Sequence, residues 1–479
     1  MAADARPSVL SVPAAPGARG SVRGELMDLS APVLRDRLAS GAVRAVEVAR
    51  ALAARTAERN PAIDGWAWFD PDFTMRQAEG LDRYRGTGRA TGSLHGVPVA
   101  LKDVIDTADM PTGNGTPLDE GRRPERDAAL VASIKGAGGM VAGKSRTTEL
   151  AFLHPGPARN PHDPSRTPGG SSSGSAALVA AGIVPLAVGT QTGGSILRPA
   201  SFCGVVGFKP THGAIPTRGV LAQSPSLDTV GTFARDVEGA AMLADALIGH
   251  DPEGDAPSVA APRLLETVRT APPLPPVLAF VRTPWWGRAS DEMRAGMEEL
   301  AAALGAQCFE AELPEPFERA IEVRETINFA EMAKFYAPYA TRGADRLSGE
   351  TRGAMERGRA ILAHDYLAAL DWRGVYRAGL DALFARCDAI LMPAAPGAAP
   401  DGLASTGNAV FNALATLVGA PAVSLPLLEA DGPNGALPMG VQLVGRPHDD
   451  ARLLRTARWL ERWAIEGQAI EGTADGGAT

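Results

Sequence analysis

The sequence predicts an α/β protein organised as a single large domain, and three observations carry that expectation. Short apolar runs bounded by turn residues alternate with helical runs from residue 25 onward, the pattern of helices layered on a sheet. The 479 residues, 45% hydrophobic and 21% charged, are enough to bury a large core. No internal repeat is visible, and no linker is long enough to demand a second domain.

Ser30 is positioned to cap a helix that Gly41 ends, and the Ala-, Arg- and Val-rich run from Val43 to about Asn60 reads as a second helix. His95 to Leu101 is an apolar run behind a turn signal, hence a buried strand, with Lys102 at its end. Asp127 is positioned to cap an apolar helix from Ala128 to Lys135 that Gly136 terminates; Met140 to Ala142 is another short strand. Pro155 to Pro168 has loop chemistry and runs into Gly169-Gly170-Ser171-Ser172-Ser173-Gly174-Ser175, then an Ala-rich helix closed by Gly182. Strand-like Val184 to Val188 leads to a second small-residue loop, Gly189 to Ser195. Residues 251–276 are Pro- and Ala-rich and suggest a surface excursion, while 290–385 read mainly as helices. Phe329, Phe335 and Tyr336, at helical spacing, are expected in the core; Lys144 and Lys209 are expected in scaffold contacts, and Asp228 in a turn.

Composition removes several function classes. A net charge of −8 lacks the basic excess that a nucleic-acid or anionic-membrane surface needs. Cys203, Cys308 and Cys387 are odd in number and far apart, so no disulfide framework or CxxC metal site is available. The seven histidines have no HxxxH or HxH spacing, and neither a metal nor another cofactor is expected. Residues 1–24 begin without the basic region of a signal peptide and read as a disordered tail. The longest apolar stretch, Ala176 to Gly189, is too short to span a membrane and contains Pro185, so a cytoplasmic protein is expected.

Three short motifs mislead. Gly138 to Ser145 matches GxxxxGK[ST], but a phosphate loop needs a strand before it and an open interior; here a helix precedes and Met140-Val141-Ala142 is strand-like. Gly170 to Gly174 matches GxSxG, but the hydrolase elbow is a strand-to-helix turn and a Pro-rich loop precedes this one. Asp388 and His448 are available as its partners, yet nothing marks them out. A GxGxxG after a strand, with an acidic partner, is missing.

Two Ser/Gly loops and one lysine remain. Thr192-Gly193-Gly194-Ser195 sets successive backbone N–H groups beside a hydroxyl, which suits a developing oxyanion, although Gly and Ser also dominate ordinary turns. A serine is a weak nucleophile unless a base takes its proton. Lys102 at the end of an apolar strand is such a base if desolvated, or an ordinary strand-end lysine reaching water. It is one of only five lysines against 42 arginines, so positive charge elsewhere is almost always written as Arg.

These residues resemble a known family. LHGVPVALKDVID, GGSSSGSA and GTQTGGSILRPASFCGVVGFKPTHG are similar to the amidase signature family, over Leu94 to Asp236. Weaker support comes from Cys387 to Pro393, Gly419 to Pro426 and Leu437 to Gly445. The resemblance implies a mixed central β-sheet flanked by helices, with one amidase domain over 25–470. Its catalytic signature region is about 94–236, and a variable substrate-side region covers about 251–400.

It further implies a Ser-Ser-Lys triad. Ser195 is the expected acyl-forming nucleophile, Ser171 the bridging serine behind a cis peptide bond from Gly170, and Lys102 the base. Thr192, Gly193, Gly194 and Ser195 would form the oxyanion hole. Gln191 stands where many members have an acidic residue. Gln191 and Arg198 are candidate substrate contacts, with a bracing role favoured for Arg198. The activity expected is hydrolysis of a small-molecule carboxamide to an acid and ammonia or an amine. Two alternatives keep the triad: the amidase-like subunit of a glutamyl-tRNA(Gln) amidotransferase, the only setting in which nucleic acid would be a partner, and a carbamate, ureido or ester hydrolase. A homo-oligomer is compatible with either.

Overall fold

Eleven strands form one mixed sheet in the computed structural model, which describes residues 25–249, 251 and 263–474. The expected tail at 1–24 and residues 252–262 of the excursion at 251–276 lie outside the described residues, and within the rest of that excursion Leu264–Val268 is a short helix. The strands are β1 (Trp66–Phe69), β2 (Pro98–Lys102), β3 (Met140–Ser145), β4 (Leu186–Gln191), β5 (Val206–Lys209), β6 (Thr229–Ala234), β7 (Leu278–Val281), β8 (Cys308–Ala311), β9 (Ala389–Pro393), β10 (Ala422–Ala430) and β11 (Leu437–Val444). Their spatial order is β1-β3-β2-β4-β6-β5-β10-β11-β9-β7-β8. β2 runs parallel to both β3 and β4, the central strands from β4 to β9 pair antiparallel, and β9, β7 and β8 are parallel again.

Both faces of the central strands are covered, which is why they are continuous apolar runs without alternation. Every residue of β2, β3, β4 and β6 is buried. Helix Ser173–Ala180 is buried all round and packs on β4 and β2, so it shows no amphipathic stripe. Helices Ala320–Phe335, Gly349–Ala360 and Ala363–Phe384 form a second layer of contacts, with Phe329, Met332 and Tyr336 in a separate apolar cluster and Phe335 packed against it. Among the described residues no helix is long and apolar enough to cross a membrane.

Local expectations met mixed outcomes. Gly41 ends helix Ala31–Ser40 in the left-handed region, but the Ser30 side chain makes no capping bond. The second helix, Ala45–Ile63, continues past Pro61. The strand expected from His95 begins at Pro98, because His95 and Val97 are held in a turn against Gly92 and Leu94. Asp127 is not a cap. The helix Ala129–Gly136 starts from Ala128, and Asp127 instead accepts from the Ala108 N–H at 2.9 Å and pairs with Lys135 at 2.7 Å. The GxxxxGK[ST] lysine, Lys144, lies within β3, fully buried, donating to the Ile105 carbonyl and to Thr112 Oγ1. Asp388 holds Arg452 and the Val277 N–H, so its carboxylate is committed away from a hydrolase elbow, and His448 donates its backbone N–H to Thr211.

Candidate active site

β2 and β4 are parallel neighbours, and this pairing brings Lys102 and Thr190 together at the carboxyl ends of their strands. The loop between Pro168 and helix Ser173–Ala180 lies over those ends, with the Gly170–Ser171 bond cis. Lys102 is wholly buried; its Nζ lies 2.6 Å from Ser171 Oγ and 2.8 Å from Thr190 Oγ1. Ser172 locks the serine loop to β4, donating from Oγ to the Thr190 carbonyl at 3.2 Å and accepting from the Thr190 N–H at 3.2 Å. Its backbone N–H reaches the Ser195 carbonyl at 3.4 Å, which ties the two small-residue loops together.

Ser195, with Thr192, Gly193 and Gly194, lines a cleft of about 670 Å³, whereas Lys102 and Ser171 are buried and not part of its lining. None of the backbone N–H groups of Thr192 to Ser195 donates a hydrogen bond to another described residue, so four consecutive donors are available at the cleft. Gly194 is required by close packing: a Cβ there would sit 2.4 Å from Asn412 Oδ1.

Burial dominates the charge state of Lys102. It drives the amine well below its ordinary value, opposed by the charge of Asp228 and assisted by the nearby Arg198 guanidinium. Asp228 does more than hold a turn: its carboxylate accepts from the Gln223 and Ser224 N–H groups at 2.8 and 2.9 Å and from Thr192 Oγ1, pinning one edge of the loop. Burial raises the Asp228 carboxyl, and its hydrogen bonds from Thr192, Ser224 and Gln223 oppose that rise.

Gln191 is corrected from a substrate contact to a brace. It is fully buried; its carbonyl oxygen accepts from the Ile196 and Leu197 N–H groups at 2.8 and 3.1 Å, and its amide donates to Thr416 Oγ1 at 3.0 Å. Thr416 in turn donates to the Gly193 carbonyl at 2.8 Å. Arg198 lines the cleft, but its guanidinium nitrogens hold the Gly170 and Gly407 carbonyls and Thr406 Oγ1, the bracing arrangement favoured from sequence. Three contributors escaped the sequence reading. Thr190 is the second partner of Lys102, Thr416 supports the loop from 225 residues away, and Glu331 anchors the Ser224–Ser226 turn beside Asp228. Spacing carries no signal for any of them.

The arrangement is one that can perform acyl transfer: a buried neutral-prone amine bonded to one hydroxyl, a second hydroxyl lining the cleft and a row of free amides. The Amidase family model matches residues 47–454. A glutamyl-tRNA(Gln) amidotransferase subunit from Carboxydothermus hydrogenoformans is 32% identical over 490 residues, covering 91% of this chain and 98% of that protein. A chain solved in a vestigial protein complex tied to the origins of an s-triazine catabolic enzyme superposes with a TM-score of 0.84 at 27% identity, covering 91% of this chain and 98% of that one. The native peptide amidase of Stenotrophomonas maltophilia gives 0.77 at 26% identity, over 91% and 97% of the two chains. With the family model covering most of its length, this chain belongs to the amidase signature family of C–N hydrolases.

Proposed function

We propose that the protein hydrolyses a carboxamide through an acyl enzyme on Ser195. The observation that carries this reading is the buried Lys102–Ser171 contact, on a loop that Ser172 ties to the loop bearing the cleft-lining Ser195. Ser195 Oγ attacks the carbonyl carbon as its proton passes to Ser171 Oγ, whose own proton goes to neutral Lys102 Nζ. The free N–H groups of Thr192 to Ser195 stabilise the oxyanion without reorganising. The C–N bond then breaks while the proton returns along the same route to the leaving nitrogen, releasing ammonia or an amine. Water, deprotonated by the same relay, cleaves the acyl ester to the acid. Ser195→Ala should abolish ammonia release from a responsive amide and remove the acyl adduct seen by mass spectrometry; retained turnover would refute the assignment.

The curated relatives support a particular setting for this chemistry, ammonia supply by the amidase-like subunit of a tRNA-dependent amidotransferase. A free amidase uses the same triad, and so would a carbamate, ureido or ester hydrolase. Ammonia release from glutamine that appears only with a second protein chain bound supports the amidotransferase setting. Turnover of simple amides by the isolated chain supports the free enzyme.

A further inference from the structure

We infer that the acyl group accepted by this cleft carries a carboxylate, held by Arg324 beside the oxyanion loop. The inference rests on amide hydrolysis at Ser195 and adds the substrate class. Arg324 projects from helix Ala320–Phe335, in the substrate-side part of the chain, and its side chain is only 15% exposed. Its Nη1 lies 3.3 Å from where a Cβ on Gly193 would sit, so the guanidinium covers the loop that carries the free amides. Its one ion-pair partner among the described residues is the adjacent Glu325, at 3.5 Å and itself 43% exposed, and its buried Nε has no hydrogen-bond partner.

The surroundings leave that charge poorly neutralised. Arg198, on the same wall, donates to two carbonyls and a hydroxyl, and its Nε is likewise buried and unpartnered. Burial and the neighbouring Arg324 charge pull Arg198 down to about 10, which reports two guanidiniums close enough to repel. Arg288 and Arg357 add positive charge at exposed positions of the cleft. The acidic lining is Glu325 and Asp401, and Asp401 is engaged by Arg166 at 2.6 Å. A desolvated guanidinium whose carboxylate partner is a partly exposed neighbour held at 3.5 Å by a single nitrogen is costly unless a ligand supplies a better one, and its planar donor fork fits a carboxylate in bidentate fashion. Short-chain monoamides of dicarboxylic acids meet that requirement.

The test compares kcat/KM for succinamate and glutaramate with the length-matched neutral amides butyramide and valeramide. Native enzyme should prefer the anionic amides by about a hundredfold, the range expected for hydrogen bonds to a charged group. Arg324→Gln should collapse the ratio toward one, and Arg324→Lys should keep part of it. A ratio near one in native enzyme, or a ratio unchanged in both variants, would overturn the inference, as would an equal loss on both substrate classes, the mark of an arginine that serves only the oxyanion. Calorimetric binding of succinamate and butyramide to Ser195→Ala, with and without Arg324→Gln, reads the preference without turnover. If no amide is hydrolysed, the proposed function fails and this binding comparison alone decides the inference: tighter succinamate binding that requires Arg324 upholds it, and equal binding refutes it.

Discussion

Lys102 Nζ lies 2.6 Å from Ser171 Oγ with no carboxylate in ion-pairing range among the described residues, so a completely buried lysine faces two hydroxyls and feels the charge of Asp228 only from beyond that range. Such an amine is stable mainly in its neutral form, the form a base requires. An arginine cannot give up its proton in a protein. Lys102→Arg should therefore lower kcat by about a hundredfold to ten-thousandfold, the range spanned by general acid–base catalysis. Steady-state kinetics on a responsive amide check it, and an active Arg variant would dismiss Lys102 as the base.

The pH–rate profile follows from the same burial. Activity needs neutral Lys102, so kcat/KM should rise with pH through the value for that amine and then level off. Because burial lowers that value, the rise should fall below the ordinary lysine range near 10.5. Arg198 pushes in the same direction and Asp228 against it, so Asp228→Asn should move the rising limb to lower pH. A limb that stays put in that variant would show that Lys102 is not the titrating group.

Asp228 also accepts from Thr192 Oγ1, and this bond can be tested by itself. Thr192→Val keeps the shape of the side chain, removes the donor and leaves the loop's outer edge unpinned. Loss of a whole oxyanion donor costs about 10²- to 10³-fold, and loosening one should cost less, about tenfold in kcat. KM should change little, since the loop's amides act on the transition state. A change confined to KM would argue that Thr192 contacts the bound amide instead.

How much of this site the sequence discloses depends on where each partner lies along the chain. Ser171, Ser195 and Lys102 stand out because glycines, hydroxyls and a rare lysine cluster within short segments, and local turn chemistry exposes them. Asp127 misleads for a physical reason: its position suits a cap, but Lys135 offers a charged partner one helix away, and the backbone N–H of Ala108 takes its other oxygen. Gln191 misleads because its partners, Ile196 and Leu197, become neighbours only after the chain reverses at Gly193-Gly194, while Thr416 arrives from a distant helix. Arg324 is one of 42 arginines, and only the fold places it against Gly193.

The bracing role of Gln191 makes a stability prediction. Gln191→Leu would leave the buried Ile196 and Leu197 N–H groups without an acceptor, at about 1–3 kcal/mol for each. Gln191→Glu keeps that acceptor and loses the donation to Thr416. Chemical denaturation should show Gln191→Leu clearly less stable than Gln191→Glu. Equal stability of the two variants would mean that the loop finds other partners.

Lys209 extends the argument to stability and pH. It is fully buried at the end of β5, where its Nζ donates to the Pro210 carbonyl at 3.0 Å. Burial lowers it to about 7, against partial compensation by Asp450. Between that value and the unfolded value near 10.5, the unfolded chain binds a proton that the native chain does not, so raising the pH stabilises the fold. Below about 7 both states are protonated and the cost of the buried charge is present in full. Lys209→Met removes this contribution, so its melting temperature should climb less steeply than the native protein's between about pH 7 and 10, with its largest advantage at or below about pH 7. Parallel melting curves for the two proteins across that window would show that the Lys209 amine titrates as it does in water.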